Sequence, residues 1–292
     1  FAYLWIWKLY TFLAERYTNH IKELNISILF LPSTIFWGSG IMKDTFTFAA
    51  TCYAVFGLHQ LIIKREKKLS NIVQLIVAFY LILTIKSYIL FALLPGILIF
   101  ANFERIKKIQ STFVKIIIIP TSLIGILFLS NLLFVDFSDS FGRYSSDKIL
   151  EEAVIMNKDL QRSVYGSNSF DIGEFEPNLQ GVSSKIIPAI NASIFRPYLW
   201  EIGSPTMVLS GIENIILLVL SSWLIIHSPF YFIKKVFSDP FLLFCLLFTL
   251  ILGFGVGLST SNFGALVRYK IPFLPFYTFL ILYFIKKKKK LI

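Results

Sequence analysis

The stretch FWGSGIMKDTF, Phe36 to Phe46, sets a lysine beside an aspartate between two apolar runs. In hydrocarbon each charge costs roughly 2.5–3.5 kcal/mol on insertion scales. Lys43 and Asp44 therefore belong at a membrane surface or in a polar site. The rest of the chain decides between these.

Of the 292 residues, 56% are hydrophobic and 17% aromatic, with mean hydropathy +0.72. A soluble domain of this length cannot hide so much apolar surface, since soluble chains run about 45–50% apolar even with Gly counted. The composition reads as an all-α, polytopic membrane protein. The formal charge of +11 invites a nucleic-acid reading. That reading fails, because Lys and Arg cluster in short segments between apolar runs, as membrane topology requires. Cys52 and Cys245 both lie in apolar runs, so neither a disulfide framework nor a cysteine metal site is indicated. The chain opens at Phe1 inside an apolar run and without Met, which reads as a fragment lacking its N-terminus.

A spanning helix needs about 20 mainly apolar residues. Such runs occur at 1–14 (truncated), 24–42, 45–63, 113–135, 206–227, 240–258 and 268–285. The run 71–103 is interrupted by Lys86 and by Pro95-Gly96. Basic segments flank it on both sides: Lys64, Arg65, Lys67 and Lys68 before, and Arg105, Lys107, Lys108 and Lys115 after. If both are cytoplasmic, the chain between them crosses an even number of times. A hairpin of two short helices, 71–85 and 88–103, satisfies this and puts Lys86 at the outer turn. The expected fold is then a bundle of about nine spans forming one integral membrane domain over 1–292. Its one large extracytoplasmic loop is 136–205. Lys234-Lys235 and the run Lys286 to Lys290 fall on the cytoplasmic side with the C-terminus. Within the loop, 147–160 has helical spacing of apolar residues and 166–181 reads as irregular chain.

This topology collects charge at outer helix ends: Lys43, Asp44, Lys86, Arg196, Glu201 and Arg268. The positive-inside bias disfavours cations there. The pattern suits an outward site for a phosphate-bearing substrate, held by Lys and Arg, with a carboxylate as base or metal ligand. Plain structural readings stand beside it. Asp44 suits an N-cap of a helix from Thr45. Lys86 can snorkel from a turn, and Arg196-Pro197-Tyr198 can anchor at an interface with Trp200. Glu213, a turn or two into a span, needs a partner or a proton. No His pair has metal-ligand spacing. The sequence names no cofactor, and a divalent cation stays open. FGVG (254–257) reads as a helix-packing feature.

The stretch LPSTIFWGSGIMKDTFTFAATCYAVFGLHQLIIKREK resembles the middle spans of GT-C-class membrane glycosyltransferases. VRYKIPFLPFYTFLILYFIKKKKK is similar to the RY-x-x-P-x-x-P span that ends many dolichyl- or polyprenyl-phosphate-sugar transferases. SIFRPYLWEIGSPTMVLSGIEN resembles segments of bacterial envelope proteins of similar layout. The resemblance implies sugar transfer from a polyprenyl-phosphate sugar at the outer face of a bacterial cytoplasmic membrane. It makes Asp44 the candidate catalytic residue, matching the class's second acidic position near the donor phosphate. Arg268 matches the basic position that holds that phosphate. Lys43, Lys86, Arg196, Glu201 and Tyr269 join it as candidate substrate-binding residues. The class's usual base, in a first outer loop, has no counterpart in this sequence, and Lys43 beside Asp44 departs from the pattern. Two other readings are a surface-polysaccharide polymerase or ligase, with its chemistry in 136–205, and a non-enzymatic membrane protein or lipid-linked-sugar transporter.

Overall fold

Apolar runs bounded by Pro, Gly and charge set the helix limits in the computed structural model, which describes residues 1–101, 146–160 and 169–289. In chain order the first helices are α1 (Ala2–Arg16), α2 (Ile21–Leu24), α3 (Pro32–Gly38), α4 (Lys43–Leu58) and α5 (Leu69–Ala101). Next come α6 (Ser146–Leu160), α7 (Leu179–Ser184), α8 (Ile186–Phe195), α9 (Pro205–His227) and α10 (Pro229–Val236). The last are α11 (Pro240–Ser259), α12 (Phe263–Tyr269) and α13 (Leu274–Lys289). Short π-helical turns at Asn25–Leu29 and His59–Ile63 extend α2 and α4. Among the described residues there is no strand, only an isolated bridge between Ser169 and Asn262.

Among the described residues, four helices are long and apolar enough to cross a membrane: Lys43–Ile63, Leu69–Ile99, Met207–His227 and Pro240–Ser259. Phe263–Tyr269 with Leu274–Lys286 makes a fifth if the bent pair is one span. The expected run 113–135 and its flanking basic segment lie outside the described residues, as do 136–145 of the large loop.

The expected span 24–42 is not one helix. Leu31 is extended (φ −71°, ψ 116°) ahead of Pro32, which opens α3. A residue before proline is pushed out of the helical region. The run 268–285 is likewise broken: α12 ends at Tyr269 and α13 starts at Leu274, with Pro272 between them. Proline there offers no N–H to continue the ladder. In α5 the helix breaks at Lys86 (φ −149°, ψ 73°), the residue expected at the hairpin turn, and runs on through Pro95.

The described residues fall into two compact units: 1–101, 217–249 and 271–289 in the first; 146–160, 169–216 and 250–270 in the second. In the first unit, Trp5 of α1 packs at a tilt against Tyr53 of α4, ring centroids 4.7 Å apart, and its indole N–H and the Lys8 ammonium both donate to Gln74 of α5. Phe241, Phe244, Phe248, Phe276 and Phe279 build a ring-on-ring core. Gly96 lies beneath Phe244, where an added Cβ would come within 2.7 Å of the ring.

One end of this unit gathers basic segments. Lys64 faces Glu15 at 3.9 Å, Lys286 bonds Glu23 at 3.0 Å, and Arg16 reaches Asp239 at 3.5 Å. Tyr231 and Phe232, just before Lys234-Lys235, pack on Phe284. The segment Lys43–Ile63, 21 residues long, separates Lys64 from Asp44. At 1.5 Å per residue that is about 30 Å, one hydrocarbon thickness. A cysteine replacing exposed Ser39 should react with an impermeant maleimide from one face of the membrane, and one replacing exposed Lys67 from the other. Labelling of both from a single face would overturn this placement.

In the second unit, α8 crosses α11 at Gly257. An added Cβ there would sit 1.9 Å from the Ala189 carbonyl oxygen, whereas Gly255 has nothing within 4 Å. The FGVG packing expectation thus resolves to one glycine. Gly257→Ala should cost about 3 kcal/mol or more, the top of the overpacking range. Gly255→Ala should stay within about 0.5 kcal/mol. Thermal unfolding in detergent checks both, and equal effects would contradict the close approach.

Candidate functional site

The two neighbours of the opening stretch part company. Lys43 starts α4 and is exposed; Asp44, in the first helical turn, is fully buried. The helix begins two residues earlier than the cap reading requires, with Met42 at the N-cap position and no side-chain cap bond. Asp44 is instead met by Lys86, whose Nζ donates to Oδ1 at 2.5 Å. The break in α5 falls on Lys86, which is itself 8% exposed. A carboxylate in a helix's first turn is also favoured by the macrodipole. Thr45 donates to the Gly40 carbonyl at 2.6 Å and ties the preceding turn to the same helix start.

In the second unit, Arg196 and Glu201 form their own pair. Nε of Arg196 lies 3.0 and 3.1 Å from the two carboxylate oxygens, and Nη2 also donates to Oε1. Glu201 accepts the Tyr198 backbone N–H at 2.9 Å as well. The guanidinium lies over Phe170 (4.6 Å to centroid) and Phe263 (5.4 Å), rings that stack on each other. Arg268 and Tyr269 are half-buried in the last turn of α12. Thus Lys86 and Arg196, two of the cations expected to hold phosphate, are each held by a carboxylate from the same expected set.

Sequence reasoning missed Lys270. It directly follows α12 and is wholly buried. Its ammonium donates to Asn214 Oδ1 and to the Arg196 carbonyl at 3.3 Å. Asn214, also buried, passes a bond on to the Pro197 carbonyl at 3.1 Å. Glu213 is close enough to attract the ammonium. Lys270 therefore fixes the backbone of the turn whose side chain Glu201 fixes. The available signal was a third consecutive polar residue in RYK, directly ahead of Ile271-Pro272.

Among the described residues, no group of three or more His, Cys, Asp or Glu side chains is placed to hold a metal ion. Comparison with protein-family models, with curated proteins and with solved structures finds no match.

Proposed function

We propose that this protein is a multi-span membrane glycosyltransferase that moves a sugar from a polyprenyl-phosphate donor to an acceptor hydroxyl. The positive-inside rule supports a cytoplasmic position for the basic end of the first unit, with the Asp44–Lys86 end at the opposite face. The observation that carries the reading is that buried pair. Charged residues in spanning segments are costly and by default functional.

The chemistry runs as a displacement. The acceptor oxygen attacks the anomeric carbon, and the bond from that carbon to the phosphate oxygen breaks. The electron pair leaves with polyprenyl phosphate, and the hydroxyl proton passes to Asp44. The donor phosphate competes with Asp44 for the Lys86 ammonium. Transfer of Lys86 to the phosphate both steadies the leaving charge and releases the carboxylate as base.

A second reading, a surface-polysaccharide polymerase or ligase, draws support from a polar groove of about 600 Å³ in the second unit. It is lined among others by Lys158, Glu174, Glu176, Asn178 and Gln180. Purified protein in lipid nanodiscs, given radiolabelled polyprenyl-phosphate hexoses and pentoses, tests the first reading. Protein-dependent release of polyprenyl phosphate supports it. No turnover of any such donor ends it, and turnover lost in Glu174→Gln/Glu176→Gln but not in Asp44→Asn favours the second.

A further inference from the structure

The basic end of the first unit holds an open cavity of about 370 Å³. Its walls are the end of α1, the turn that follows, and α13: Arg16, Tyr17, Asn19, His20, Tyr283 and Lys286 among them. A volume of a few hundred Å³ is that of a small-ligand site.

Arg16 and Lys286 line the cavity, each paired with a carboxylate, Asp239 and Glu23 respectively, that does not line it. Asp239, the acidic partner of Arg16, caps α11: its Oδ1 accepts the N–H groups of Phe241 (3.0 Å) and Leu242 (3.4 Å) and the Tyr17 hydroxyl (2.8 Å). Its hold on Arg16 is a single contact at 3.5 Å. The guanidinium also lies over the Tyr17 ring, 5.6 Å from its centroid. On the other wall, Glu23 takes Lys286 at 3.0 Å and faces His20 at 3.8 Å. Lys286 also donates to the Asn19 carbonyl, and the His20 ring stacks on Tyr283 at 4.3 Å. These contacts prebuild a lining that carries an ammonium, an imidazole and a guanidinium. A planar fork beside a point charge is the pairing that recognises phosphate oxygens.

We infer that this cavity is a phosphate-binding site, taking either the headgroup of an anionic phospholipid or free phosphate, separate from the Asp44–Lys86 pair. Basic pockets between spanning helices at the cytoplasmic surface are suited to such headgroups. The site needs no assumption about sugar transfer.

The test is lipid retention on full-length protein, read by native mass spectrometry from detergent. Phosphatidylglycerol is compared with phosphatidylcholine, with and without millimolar inorganic phosphate. Arg16→Gln/Lys286→Gln is compared with Lys22→Gln, an exposed lysine outside the cavity. The expected result is preferential retention of phosphatidylglycerol, weakened about tenfold or more in the double variant and unchanged in Lys22→Gln. Competition by inorganic phosphate would assign the site to phosphate itself, and its failure to the lipid. Equal retention of both lipids, or equal loss in Lys22→Gln and the double variant, would overturn the inference and leave only diffuse surface charge. Each variant's elution profile and unfolding temperature verify that it is folded. Should the double variant fail that control, Arg16→Lys replaces it: it keeps the charge, removes the fork, and should still weaken retention.

Discussion

Asp44→Ala is expected to lower stability by about 3–5 kcal/mol, the usual cost of stranding one member of a buried ion pair. The ammonium of Lys86, 8% exposed, loses the carboxylate 2.5 Å away. Lys86→Ala should cost a similar amount by taking the ammonium from Asp44, which is fully buried. The neutral double variant Asp44→Asn/Lys86→Met should recover most of the loss. Replacing both members of such a pair with uncharged groups is often neutral or stabilising. Unfolding in detergent, followed by tryptophan fluorescence, measures all three. A double variant as unstable as either single variant would mean that the two side chains do not answer each other.

Lys270→Met should also be damaging, by about 1–3 kcal/mol for each buried acceptor left without its donor. It removes the donor to Asn214 and to the Arg196 carbonyl, and takes a cation from beside Glu213. The effect should spread to the Arg196–Glu201 turn, since Asn214 also holds the Pro197 carbonyl. Adding Glu213→Gln should restore part of the loss. Hydrogen exchange over 196–201 reads the local component. Loss of global stability with no change in exchange there would separate Lys270 from the turn.

The long helices were legible because an apolar run of spanning length has few alternatives. α4, α9 and α11 match the runs 45–63, 206–227 and 240–258 to within two residues at their starts, with the π-helical turn completing the first. Shorter elements were not. α8, a mainly apolar helix of ten residues inside the expected loop, and α10, eight residues after Ser228, fall below any spanning run. The two broken runs, 24–42 and 268–285, each contain the proline at which the helix fails, and average hydropathy does not register that backbone constraint.

The candidate site was legible one residue at a time. Asp44, Lys86, Arg196 and Glu201 stood out because each is an ionisable group beside apolar sequence. Their pairing was not legible for Asp44 and Lys86, which lie 42 positions apart. Burial of a charge announces that a partner is needed, and only the fold says which. Lys270 was hidden for the same reason: its partners lie 56 and 74 positions away. The helix 147–160 shows the converse case. Its apolar spacing predicts the helix, yet among its described side chains the buried one is Asn157, which donates to the Leu258 carbonyl at 3.0 Å and accepts from Ser261 through its own carbonyl.

The central claim is that the Asp44–Lys86 pair performs chemistry and does not merely join α4 to α5. The neutral double variant Asp44→Asn/Lys86→Met separates the two roles, because its fold is expected to survive. The decisive measurement is sugar transfer by that variant and by wild type in nanodiscs, with a polyprenyl-phosphate donor that the wild type turns over. The account predicts a folded variant whose transfer is reduced at least about 100-fold, the scale of a lost general base. A folded double variant that transfers sugar at the wild-type rate would contradict it.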